Sequence, residues 1–195
     1  MIISKKLLRH KEINHGFFNK LGGRSIGIYK SLNCGPGSKD NKNKIAKNLK
    51  IVKYRIDKKS KDIFLLHQFH SNKFIFIGKN FKFNKRKIKA DAIVTDQKKL
   101  PIAVLTADCV PILLYDSKKK IIAAIHAGWK GSFKGIIKKV INFMLLKGCK
   151  ENTITAAIGP SIQQNSYNVG YEFKQRFIKK NRSNKIFFKR KKNII

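Results

Sequence analysis

Metal-binding or acid–base chemistry in this chain of 195 residues has to come from few side chains: five His, three Cys and ten Asp or Glu. Three of them, His70, Cys109 and His126, stand at the ends of apolar runs, and Asp108 adjoins the cysteine. One thiol with two imidazoles suits Zn²⁺, and three protein ligands leave a fourth position open, the arrangement of catalytic rather than structural zinc. The spacing fits no finger or ribbon. The same residues support a rival reading, a Cys109 thiolate activated by His126 as in a cysteine hydrolase, and spacing alone leaves both open. An odd number of cysteines with no C-x-x-C pair argues against a disulfide framework and for reduced thiols. Cys34 reads as a small hydrophobe, and Cys149, with no acidic or imidazole neighbour in the sequence, as structural.

The elements that must position these groups lie between Ala90 and Gly131. Apolar, β-branched runs at Ile102–Leu105, Ile112–Tyr115 and Ile121–Ile125 predict three buried strands separated by short polar breaks. Asp108 and Cys109 close the first, Pro111 keeps a helix from absorbing them, and His126 closes the third before the turn Ala127–Gly131. Upstream, Ile63–Phe69 reads as a strand running into His67-Gln68-Phe69-His70 and pairing with Phe74–Ile77 across residues 71–73. In a strand His67 and His70 point to opposite faces, so only one joins a common site unless the strand breaks.

The remaining elements form a scaffold. Ile13–Phe18 reads as a strand followed by a Gly22-Gly23 loop flanked by Lys20 and Arg24, which can present N–H groups and positive charge to an anion. A second glycine-rich loop contains Asn33 and Cys34. Ser38 or Asp40 then offers an N-cap for a helix to about Ile56 with Ile45, Leu49, Val52 and Ile56 on its core face. Lys79–Lys89 reads as a solvated loop. Helical spacing from Ser132 to Lys147 ends at Gly148 as C-cap, and a strand at Thr153–Ile158 precedes a short helix. The pattern predicts a compact α/β unit and a basic, frayed tail over 179–195.

A hydrophobic fraction of 42% with 14 Phe supports a packed core. No signal peptide or membrane span is read, and a cytoplasmic protein is expected. The net charge of +35 invites a nucleic-acid reading, but only seven of the 45 basic residues are Arg, and Lys is spread along the whole chain. With no nucleic-acid-binding signature, only weak, salt-sensitive adhesion to polyanions is expected.

The segments HGFFNKLGG, SLNCG, QFH, ADAIVT, TADCVPILLYD, HAGWKG and GPSIQQNSYNVG, in this order over about residues 14–177, resemble the purine nucleoside phosphorylases once called multicopper polyphenol oxidoreductases or laccase-domain proteins. The resemblance implies zinc ligands at His70, Cys109 and His126, a single catalytic domain over residues 1–178, and a mixed α/β fold with a layered β core related to cysteine-hydrolase-like toxin domains. It also implies a monomer or dimer acting on adenosine, inosine, guanosine and methylthioadenosine. Lys20, Arg24 and Lys130 would then hold phosphate and Asn33 orient the ribose or base, while in deamination Asp108 would carry a proton. Some bacterial relatives are described as peptidoglycan-editing factors, for which a Cys109/His126 amidase is the alternative. A laccase's blue copper and trinuclear cluster need many more imidazoles than five.

The chain departs from the family pattern in three places. Lys20 and Lys130 stand where arginines are usual and lose the bidentate fork for phosphate. Beyond Phe177 no counterpart of the family's C-terminal strands is read, so a shortened, less stable fold is expected.

Overall fold

The computed structural model describes residues 1–82 and 88–189, in two compact units, Met1–Pro160 and Ser161–Ile195. The first is built on five strands: β1 Phe74–Ile77, β2 Ala92–Thr95, β3 Val110–Asp116, β4 Ile121–Ala127 and β5 Ile154–Ile158. Their order in the sheet is β1-β2-β4-β3-β5. β1 and β2 are parallel, and the other pairs are antiparallel. With its flanking helices this is the expected mixed α/β class.

All four residues of β2 and six of the seven in β4 are buried, which is why these strands read as continuous apolar runs rather than alternating ones. Ala92, Val94, Ile112, Leu114, Ala123 and Ile125 pack on one side against Ile136, Val140 and Met144 of the helix that covers the sheet. Ile93 joins Ile77, Leu66, Ala90 and Leu100 in a separate cluster.

Several elements differ from expectation, each for a local reason. Ile102–Leu105 is not a strand: it bridges Phe64 only at Ile102. At Leu105 the Gln68 side chain replaces a strand neighbour, its amide donating to the Leu105 carbonyl and its carbonyl accepting the Leu105 N–H, both at 2.8 Å. Ile63–Phe69 is likewise reduced to isolated bridges at Phe64 and His67. β1 does not pair back on it but runs parallel to β2. Ile13–Phe18 contributes a single bridge, Phe17 to Ile2.

The helix expected over 132–147 is divided into α3 (Trp129–Phe133) and α4 (Ile136–Leu146); for chain order, α1 is Lys5–Leu8 and α2 is Lys42–Ile56. The break falls at Gly135, whose φ of +79° only glycine adopts cheaply. Gly148 ends α4 as expected: Gly148 N–H bonds Leu145 O and Cys149 N–H bonds Met144 O, the paired bonds of a Schellman stop. α2 is capped by Asn41, whose side chain accepts from Asn43 and Lys44 N–H, because the Asp40 carboxylate is engaged by Ser25 and Asn33.

In the second unit the expected frayed tail is replaced, as far as Phe188, by the end of α5 (Tyr171–Lys180) and a 3₁₀ turn over Arg182–Phe187. Phe173 and Phe177, four residues apart on one helix face, stack with ring centroids 4.8 Å apart. Phe188 lies 6.1 Å from Phe177. Residues 83–87 of the expected solvated loop and 190–195 of the expected tail lie outside the described residues.

Truncating Ile125, fully buried at the centre of β4, to Ala is expected to cost about 2–5 kcal/mol. Leu146→Ala, at a side chain 86% exposed, is expected to stay within about 0.5 kcal/mol. Urea midpoints of the two variants check this, and equal shifts would contradict the assigned core.

Candidate metal centre

The sheet topology brings four chain segments to one end. β1 and β2 are parallel, so both begin at the same end, and β4, antiparallel to β2, finishes there. The register pairs Ala92 with Ile125 and Val110 with Ala127. The residues just outside these strands are therefore neighbours: Asp91 before β2, Cys109 before β3, His126 near the end of β4, and His70 on the loop before β1.

His70, Cys109 and His126 each offer one ligand atom, and these atoms lie within 4.8 Å of one another. Cys109 Sγ is 3.8 Å from His70 Nε2, and the two imidazoles meet edge to face at 4.8 Å between centroids. Around a tetrahedral ion with Zn–S and Zn–N bonds of ordinary length, such atoms sit about 3.4–3.6 Å apart. The donor set and its spacing thus fit a metal ion with side-chain adjustment alone. His70 joins the group, and His67 does not, because the strand breaks: His70 has φ +61°, while His67 stays in its bridge to Lys89.

Asp91, which the sequence reading did not single out, organises the group. Its Oδ1 lies 2.8 Å from His126 Nδ1 in a hydrogen bond and accepts from the N–H groups of His70 (2.9 Å) and Phe69 (3.2 Å). Its Oδ2 accepts from the N–H and the hydroxyl of Ser71, both at 2.7 Å. Burial alone would raise its pKa, but the bonds from Ser71 and His126 hold it below the ordinary carboxylate value. Its signal was present in the sequence: an acid at the mouth of a fully buried strand must find donors.

Gly128 supplies the remaining space. A Cβ there would stand 2.8 Å from His70 Cδ2, 3.2 Å from Cys109 Sγ and 3.5 Å from His126 Cε1. Its φ of −68° suits any residue, so the requirement is close approach and not backbone freedom.

The Cys109 thiol is pushed above its ordinary value, first by burial and then by the charges of Asp108 and Asp91. These metal-free surroundings favour the thiol over the thiolate. A bound cation reverses that preference. Burial raises Cys34 to about 11. Cys149 also rises to about 11, by burial and by Asp116, an acidic neighbour that its sequence context did not reveal.

The other candidates each have their own surroundings. Asp108 is exposed beside Cys109. Lys20 holds its loop through its carbonyl, which accepts from Ser31 and Leu32 N–H. Arg24 lines an open cleft of about 600 Å³ with Lys44, Lys47, Lys50 and Ile51, its N–H held at 2.7 Å by the buried Asn48. Asn33 has both amide hydrogens engaged, by Ser38 and Asp40, and accepts from Gly35 N–H. Lys130 lies on α3 with Nζ 5.6 Å from the Trp129 ring centre.

The fold and this group define a mixed α/β protein with a His–Cys–His cluster at one end of its sheet. Residues 14–194 match the family described as multi-copper polyphenol oxidoreductase laccase, and the chain belongs to it. The match runs past Phe177, where the motifs legible by eye stop. The chain is 34% identical over 183 residues to a Rickettsia prowazekii protein named purine nucleoside phosphorylase, covering 94% of this chain and 72% of the relative. Over 89 residues, 46% of this chain and 34% of the relative, it is 46% identical to an adenosine deaminase from an unknown prokaryotic organism. A crystal structure of a Neisseria meningitidis protein superposes with a TM-score of 0.71 at 30% identity, covering 84% of this chain and 64% of that one. The chain spans 52% of the length of a Rickettsia conorii relative also named purine nucleoside phosphorylase, and its matches to the curated relatives range from 34% to 72% of their lengths. No helix among the described residues is long and apolar enough to cross a membrane.

Gly128→Ala, which puts a methyl among the three ligand atoms, is expected to weaken zinc or cobalt binding at least about tenfold. Chelator competition measures this, and an unchanged affinity would contradict the close approach.

Proposed function

We propose that this chain is a zinc-dependent purine nucleoside phosphorylase, cleaving adenosine, inosine, guanosine or methylthioadenosine with phosphate. What carries the reading is the His70, Cys109 and His126 group closed around Gly128, in a chain whose relatives include proteins named purine nucleoside phosphorylase. We assign the reaction to the unit Met1–Pro160, which contains all three residues. Three unpaired cysteines support a reducing, cytoplasmic setting.

His70, Cys109 and His126 are assigned to hold the ion through Nε2, Sγ and Nε2. Zn²⁺ rather than copper is favoured because the two methionines lie elsewhere, Met144 in the core and Met1 against Gly16, away from the axial position of a blue-copper centre. Bound there, zinc would supply Lewis-acid polarisation of the substrate.

Phosphorolysis requires phosphate held against the sugar carbon C1′ while charge gathers on the departing purine. Lys20, Arg24 and Lys130 are assigned to the phosphate, helped by a surface whose net charge of +35 concentrates anions. Asp108, exposed beside Cys109, is assigned to carry a proton to or from the purine. Asn33 retains one carbonyl lone pair beyond the Gly35 bond, enough to accept from a ribose hydroxyl.

The relative named adenosine deaminase favours a second reading, in which adenosine loses its amino group to water. Separating the products of adenosine with and without phosphate distinguishes the two. Adenine formed only with phosphate is the expected result, inosine formed without phosphate shifts the assignment to deamination, and neither product overturns both. Cys109→Ala is expected to lose metal and turnover together, and turnover retained without metal would refute the zinc dependence.

A further inference from the structure

We infer that Asp91 is the positioning residue for both imidazoles of the candidate centre, fixing which nitrogen of His126 carries hydrogen and the backbone turn that aims His70. The inference rests on the reading of His70, Cys109 and His126 as metal ligands, but its first consequence concerns the metal-free protein.

Five donors converge on this one carboxylate, three on Oδ1 and two on Oδ2, and the residue is fully buried. Four of the five, the three backbone N–H groups and the Ser71 hydroxyl, face it as donors. Those four donors match an ionised carboxylate, which is acceptor only, better than a neutral acid. His126 Nδ1, 2.8 Å away, must therefore be the protonated nitrogen, which leaves the Nε2 lone pair free to bind a metal. The backbone of Asp91 adds to the hold: its carbonyl accepts from His126 N–H at 2.8 Å and its own N–H bonds Lys73 O at 2.9 Å.

The same carboxylate sets His70. A non-glycine residue at φ +61° is strained and persists only where its surroundings determine it. Here three successive N–H groups, from Phe69 to Ser71, point at Asp91, and the Ser71 hydroxyl, itself donating to Oδ2, accepts from Lys73 N–H. The turn is thus wrapped around one anion, and its wrapping directs the His70 ring toward Cys109. Cys109, by contrast, is delivered by the start of β3.

Two substitutions separate these roles. In Asp91→Asn the amide group faces one unmatched N–H if it replaces Oδ2, at Ser71, and three if it replaces Oδ1. It therefore takes the Oδ2 place, keeping the His126 bond but with an uncharged acceptor. Asp91→Ala removes the bond altogether. The test combines ¹⁵N spectra of the histidine rings in metal-free protein with zinc and cobalt affinity by chelator competition, normalised to the folded fraction.

Wild type is expected to show His126 protonated at Nδ1 alone. Asp91→Asn should keep that form with metal affinity about 10–100-fold weaker, and Asp91→Ala should show both ring forms and binding at least as weak. Nε2 protonation in the wild type, or metal affinity of the folded Asn and Ala variants within about twofold of wild type, would overturn the inference. If Asp91→Ala does not fold, the wild-type spectrum and Asp91→Asn decide. If the wild type binds no metal, the metal reading falls and the ring forms alone decide.

Discussion

The bond between Asp91 Oδ1 and His126 Nδ1 is the contact on which the rest of the site depends. An ionised carboxylate removed from water is unfavourable unless nearly every lone pair is matched, and here five donors match it. Those donors belong to the loop that carries His70 and to the strand that carries His126, so satisfying one charge brings together two of the three side chains of the candidate centre. The sheet supplies the third by register, since β3 begins beside the end of β4. Gly128 then leaves room for the three to approach one another.

Buried acids recur as hubs in this chain. Asp40 ties Ser25 and Asn33 to the start of α2, and Asp116 receives two N–H groups and Thr153 at the far end of β3. With Asp91, three of the ten acidic residues are buried, which leaves seven to offset the chain's 45 basic residues. The interior needs its few anions for hydrogen-bond geometry, and the exterior is left strongly positive. Such a surface attracts phosphate-bearing small molecules and, weakly and with steep salt dependence, polyanions.

The parts legible in the sequence were those whose signal is local. Runs such as Ile112–Tyr115 and Ile121–Ile125 were long and apolar enough to place β3 and β4, and the chemistry of a thiol with two imidazoles picked out His70, Cys109 and His126. Gly148 was recognisable as a helix stop. What escaped was set by partners distant in the chain. Nothing near Leu105 says that the Gln68 side chain would replace a strand partner, and the pattern 132–147 continues through Gly135 although the backbone turns there. Asn48 interrupts the apolar face of α2, yet it is fully buried because its amide meets Ser25, Ser31 and Asn33 from the loop above. Asp91 belongs to the same class, an acid whose importance appears only when the loop before β1 folds over it. The aromatic packing of Phe173, Phe177 and Phe188 likewise lay hidden in a stretch interleaved with basic residues.

The central claim, that His70, Cys109 and His126 together hold one zinc ion, is tested most directly by X-ray absorption at the zinc edge on protein purified without added metal. The expected result is one zinc per chain with a single sulfur at about 2.3 Å and light-atom ligands at about 2.0–2.1 Å. A shell containing no sulfur, or protein carrying no zinc, would contradict it.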